Sequence, residues 1–104
     1  MTRTALLVTC LEVDAERRMK RPLAYLASLG WEVTLIVGKR RSISLPRTAP
    51  DVVIAHTGAM DHAIEHVVRE YAKAYGATYL WLHRVSPEHL AVELERRHLL
   101  TKEG

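Results

Sequence analysis

Four short apolar runs decide what this chain can fold into. They are TALLVTC (residues 4–10), WEVTLIV (31–37), DVVIA (51–55) and ATYLWLH (77–83). Each is rich in β-branched or aromatic residues, and each is near-continuously apolar. Such runs read as strands covered on both faces, the pattern of a parallel sheet. The segments between them carry helical spacing. Met19, Leu23, Leu26 and Leu29 recur at three- and four-residue steps, which predicts a helix within residues 14–29 that Gly30 stops. Pro22 either kinks that helix or begins a shorter one. A second helix is expected from Gly58 or Asp61 to Tyr75, with Ile64, Val67, Val68, Tyr71 and Tyr75 as its apolar stripe and Gly76 at its end. A third opens at Ser86-Pro87-Glu88, where a serine cap, a proline at the first helical position and an acid near the positive dipole end coincide. Leu90, Leu94 and Leu99 are its inward positions. The order strand, helix, strand, loop, strand, helix, strand, helix predicts an α/β fold: one small open parallel sheet of about four strands, order 2-1-3-4, flanked by three helices. The link from Gly38 to Pro50 is polar, holds two prolines and shows no helical stripe.

With 104 residues the expectation is a single α/β domain over residues 1–100, followed by a frayed tail at 101–104. No phenylalanine is present, so Leu, Val, Ile and Ala fill the core. The formal charge of +3 suits an anionic partner without requiring one. Cys10 is the only cysteine, which rules out an intramolecular disulfide and fits a reducing, cytoplasmic setting. The first residues lack the long apolar stretch and small-residue cleavage site of a signal peptide, and no run has the length of a membrane span.

His62-Ala-Ile-Glu-His66 spells H-x-x-E-H, a zinc-protease signature. On a helical wheel at about 100° per residue, both histidines fall opposite Ile64, on the polar face. The pattern lacks an evident third ligand and a chain long enough for a substrate groove. His66 therefore reads as a solvated residue. His62 sits in the first turn of its helix, where a side chain can reach over the edge of the sheet.

In parallel α/β sheets ligands bind beyond the carboxyl ends of the strands. The residues that follow each expected strand are Cys10 and Glu12; Gly38, Lys39, Arg40 and Arg41; His56, Thr57, Asp61 and His62; and His83 and Arg84. Each has an ordinary structural reading. Cys10 can be a small buried apolar group, Lys39-Arg40-Arg41 a solvated loop, Thr57 or Asp61 a helix cap, and His83-Arg84 the finish of a strand. Together they point to one rim. There Lys39, Arg40, Arg41, Thr57 and Arg84 are candidates to hold an anion, and His62, Cys10, His56 and His83 candidates to ligate a transition metal or haem iron. No G-x-G-x-x-G follows the first strand and no G-x-x-x-x-G-K-[ST] occurs, which argues against a glycine-loop nucleotide site.

The stretch PDVVIAHTGAMDHAIEHVVREYAKAYGATYLWLHR resembles the bacterial family called domain of unknown function 2325. The shared features are Asp51 opening an aliphatic strand through Ile54, Thr57 at its end, His62 soon after, and Ala72-Lys73 on the helix. A basic loop between the second and third strands extends the resemblance over most of the chain. It implies a flavodoxin-like or receiver-like (Rossmann-like) domain, no established activity, and a special place for His62. Members often end the first strand in glycines where this chain has Thr9-Cys10, which makes a thiol-supplied ligand more plausible here.

Three function classes follow. The leading one is a non-enzymatic ligand-binding or sensing module using the rim for a transition metal, haem or a small anion. The alternatives are a small hydrolase or transferase using Cys10 with His56 or His62, and a nucleic-acid accessory protein using Arg17, Arg18, Lys20, Arg21 and the basic loop. Tyr79, Trp81 and Trp31 offer aromatic surface near the sheet edges, from which a homodimer is expected.

Overall fold

The computed structural model describes residues 2–39 and 42–100. Arg40, Arg41 and the expected tail at 101–104 lie outside the described residues. The elements are β1 (Thr4–Thr9), α1 (Ala15–Arg18), α2 (Lys20–Ser28), β2 (Glu32–Val37), β3 (Val52–His56), a 3-10 turn (Thr57–Ala59), α3 (His62–Tyr75), β4 (Thr78–Leu82) and α4 (Pro87–Arg96). The four strands form one sheet in the order β2-β1-β3-β4. Every pairing is parallel, with Leu7 opposite both Leu35 and Ile54, and Ile54 opposite Leu80. This is the α/β architecture expected from the alternation of elements.

Burial explains why the apolar runs are continuous. Residues 5–9 and 52–55 are buried almost completely, because β1 and β3 are the inner strands and are covered on both faces. Successive side chains go to opposite faces. Ala5, Leu7, Val52, Ile54 and Leu80 meet Met19, Leu26, Leu90 and Leu94 from α2, α4 and the α1–α2 joint. Leu6, Val8, Val53 and Ala55 meet Ile64, Val68 and Ala72 of α3. Each fully buried leucine contributes about 1.5–3 kcal/mol relative to exposure.

The expected first helix is two helices. Met19 ends α1 and precedes α2, so Pro22 falls in the first turn of α2, where its missing N–H costs nothing. Pro22 thus starts a shorter helix and kinks none. Two positions of the expected α3 stripe also differ. Val67 is 45% and Tyr75 39% exposed, and Ala72 takes the inward place. Gly76 adopts φ 69°, the left-handed cap expected of it. Ser86 and Pro87 open α4 as the sequence implied, with the Ser86 hydroxyl accepting from the His89 N–H at 3.1 Å.

Among the described residues, the link between β2 and β3 forms no helix. Ile43 and Leu45 pack onto the α3 side of the sheet, and Tyr71 of α3 donates to the Pro46 carbonyl at 2.7 Å. This segment does by side-chain anchoring what a crossover helix does elsewhere.

Candidate functional site

The residues at the carboxyl ends of the strands divide among three places, and the alternation of side chains along the strands is the reason. Thr9 and His56 each follow a residue packed on the α3 face, Val8 and Ala55, so they turn to the α2–α4 face. There the Thr9 hydroxyl, fully buried, lies 2.9 Å from His56 Nδ1 and accepts the Leu11 N–H at 3.3 Å. The Thr9 hydroxyl and His56 Nδ1 share one hydrogen bond, whose donor is set by which ring nitrogen carries the proton. Burial holds the His56 pKa below its ordinary value, and Arg18 and His83 act in the same direction. His56 is a neutral ring tied to the sheet.

Cys10 is one residue further on and turns to the α3 face. A Cβ at Gly38 would sit 3.0 Å from its sulfur, so glycine is what lets the end of β2 approach. Cys10 lines a recess of about 260 Å³ with Glu12, Lys39, Ala59, Met60, Asp61 and Ile64. Burial pushes the thiol pKa up, and the charges of Asp61 and Glu12 push it further, with a smaller opposing effect from a hydrogen bond with the Gly38 backbone. An activated nucleophile needs the reverse. Lys39 lines this recess together with the two acids Glu12 and Asp61.

His62 lies in a larger cleft of about 530 Å³ between the start of α3 and β4. Its lining includes Thr57, Met60, Asp61, Glu65, Arg69, Tyr79 and Trp81. Asp61 and Met60 are common to this cleft and the Cys10 recess. Asp61 caps α3, its Oδ1 accepting the Ile64 N–H at 2.9 Å. Tyr79 donates to Glu65 Oε2 at 2.6 Å, and Arg69 approaches the same oxygen at 3.9 Å. Burial and the Glu65 carboxylate raise the Tyr79 pKa well above the ordinary phenol range, so its hydroxyl is a fixed donor. The Tyr79 and Trp81 rings stack at 5.8 Å, and Trp81 is 56% exposed.

Thr57 therefore joins His62, while Cys10, His56 and His62 line different places. His83 and Arg84 are exposed beyond β4. No three or more His, Cys, Asp or Glu side chains are grouped to hold a metal ion among the described residues. The two halves of H-x-x-E-H diverge as well. His66 faces solvent beside Arg69, and Glu65 is engaged by Tyr79. The basic stretch of α1 and α2 is interleaved with acids, Arg17 pairing with Asp14 at 2.9 Å and Arg21 with Glu88 at 3.8 Å. Trp31, expected as edge surface, is buried under Arg3, whose guanidinium lies 5.4 Å from the ring centroid.

Sequence reasoning passed over Glu65, Arg69, Tyr79 and Trp81 as site residues. Their signal was the two-residue spacing of Tyr79 and Trp81, which puts both rings on one face of β4, next to the helix that carries His62. No protein-family model, curated protein or solved structure matches the chain.

Proposed function

We propose that this protein is a non-enzymatic ligand-binding or sensing module, and that it takes a flat conjugated ligand in the cleft between α3 and β4. The observation that carries the reading is Trp81: a large ring, more than half exposed, stacked on Tyr79 as the wall of a cleft that also holds His62. The volume of about 530 Å³ is within the usual range for small-molecule sites, roughly 300–1,000 Å³. Its position at the carboxyl end of the sheet is where parallel α/β domains bind ligands. Haem is the flat ligand that the donors suit best. His62 would supply an imidazole to the iron, Met60 a neighbouring thioether, and Arg69 a cation for a propionate. A bare metal ion has too few grouped donors among the described residues.

Titration with haemin and with iron-free protoporphyrin IX tests the reading. Both should bind, and Trp81→Ala should weaken both about tenfold or more. His62→Ala should alter the Soret band and weaken haemin alone, whereas His66→Ala should leave both unchanged. Binding of either compound that is indifferent to Trp81→Ala would remove the cleft from consideration. Equal loss in His62→Ala and His66→Ala would instead restore a site built on H-x-x-E-H.

A further inference from the structure

The edge of the sheet at β4 carries its own pairing code. In a parallel ladder alternate residues direct both N–H and C=O to the same side. The Thr78 N–H bonds to the Asp51 carbonyl at 2.9 Å, and Thr78 lies opposite Val52. Thr78, Leu80 and Leu82 therefore bond inward to β3, and the backbone groups of Tyr79 and Trp81 point to the open side. Among the described residues no strand pairs with them.

We propose that a second copy of this chain pairs antiparallel along β4, with the two-fold axis at Leu80. The register follows from the two outward-facing residues. A two-fold at Leu80 sets Tyr79 opposite the partner's Trp81 and Trp81 opposite the partner's Tyr79. These are the residues with free backbone donors and acceptors, so each opposed pair exchanges two hydrogen bonds and the dimer gains four. A shift by one residue would bring inward-directed groups to the junction and lose all four. The same operation makes a cross-strand aromatic ladder, since Tyr79 and Trp81 share the α3 face and already stack within one copy.

Charge agrees with this register. Glu65 and Arg69 lie along the β4 side of α3, in contact with Tyr79 or lining its cleft. A two-fold reverses their order in the partner, so the acid-then-base order along one α3 runs against base-then-acid along the other and sets no row of like charges in register. The β2 edge lacks this self-complementarity, with Glu32 and Thr34 exposed along it. Arg97 is the contact that pairing must rearrange. Its guanidinium lies 5.5 Å from the Trp81 ring, and a cation beside an edge strand restrains indiscriminate pairing. This inference rests on backbone direction and does not depend on a ligand.

Light scattering combined with residue-resolved amide exchange tests it. At about 100 µM the wild type should be a dimer, and the Tyr79 and Trp81 amides should exchange at least about tenfold more slowly than in a sample diluted to monomer. The Leu80 amide, held by β3 in both states, should not show that dependence. Trp81→Pro removes an outward N–H and the exposed indole but no inward bond to β3, so it should give a folded monomer, and Trp81→Lys should do the same by charge. A monomer at 100 µM would overturn the proposal. A dimer whose Tyr79 and Trp81 amides exchange freely would also overturn it, because a different face would then be in use. Failure to bind porphyrins bears on neither result.

Discussion

Gly58 links the ends of β3 and β4, and replacing it tests whether those ends are held in contact. A Cβ built there would overlap the His83 carbonyl oxygen and sit 3.2 Å from both the carbonyl carbon and His83 Nδ1. The obstacle is mainly backbone, which cannot rotate away as a side-chain tip can. Either the 3-10 turn or the His83 loop has to move in Gly58→Ala. Overpacking of this kind costs about 1–3 kcal/mol. For a domain of this size that corresponds to a fall in melting temperature of roughly 4–8 °C per kcal/mol. The same substitution at Gly76 provides the comparison. There nothing lies within 4 Å of the added carbon, and the cost comes only from φ 69°, a conformation that is disfavoured for alanine by about 1–2 kcal/mol. Urea denaturation of both variants gives the free energies, and amide exchange gives their location. Gly58→Ala should loosen residues 56–60 and 82–85 together, whereas Gly76→Ala should affect the end of α3. A change below about 0.5 kcal/mol in Gly58→Ala, with no local rise in exchange, would refute the claimed contact between the strand ends.

Three further outcomes are expected. His56 has a folded pKa below its unfolded value, so its contribution to stability is complete above about pH 6.5 and is lost as pH falls through the folded pKa. The slope should reach at most about 1.4 kcal/mol per pH unit and flatten in His56→Gln, as read by urea denaturation between pH 4.5 and 8. Asp61 has two separable roles. Asp61→Ala should cost about 1 kcal/mol through the lost cap, whereas Asp61→Asn should keep the cap yet lower the pH at which Cys10 ionises. Cys10 itself should react with iodoacetamide more slowly than glutathione at pH 8, because burial and two acids oppose the thiolate; faster reaction would revive it as a nucleophile.

The fold was legible because burial on two faces leaves a run with almost no polar interruption. TALLVT and VVIA could not be amphipathic strands, and parallel order followed from the helices between them. Helix limits were legible where chemistry is local, at Ser86-Pro87 and at Gly76. They were less so at Met19, where one spacing of apolar residues runs through two helices. The periodicity does not register the break, and Pro22 alone marks it. Val67 lies to one side of the face that Ile64, Val68 and Ala72 bury, and Tyr75 is the last residue of α3, so neither is covered.

The site was harder to see because position along a strand fixes height above the sheet but not side. Cys10, His56 and His62 all follow strand ends, so chain order alone assigns them to one rim. One residue of offset in a strand sends a side chain to the other face. His56 stands one place beyond Ala55 and joins Thr9 on the α2–α4 face. Cys10 stands one place beyond Thr9 and joins Asp61 under α3. Resolving this from sequence would have required the registers of β1 and β3 as well as their existence. The residues that do converge on His62 come from the opposite circumstance. Tyr79 and Trp81 are two apart, so their shared face needs no register to be known. That face looks toward α3 because a strand following a helix packs beneath it, and Glu65 and Arg69 then complete the wall from within one helical turn. The spacing of two on β4 and of four on α3 was the stronger indication of where a ligand could sit.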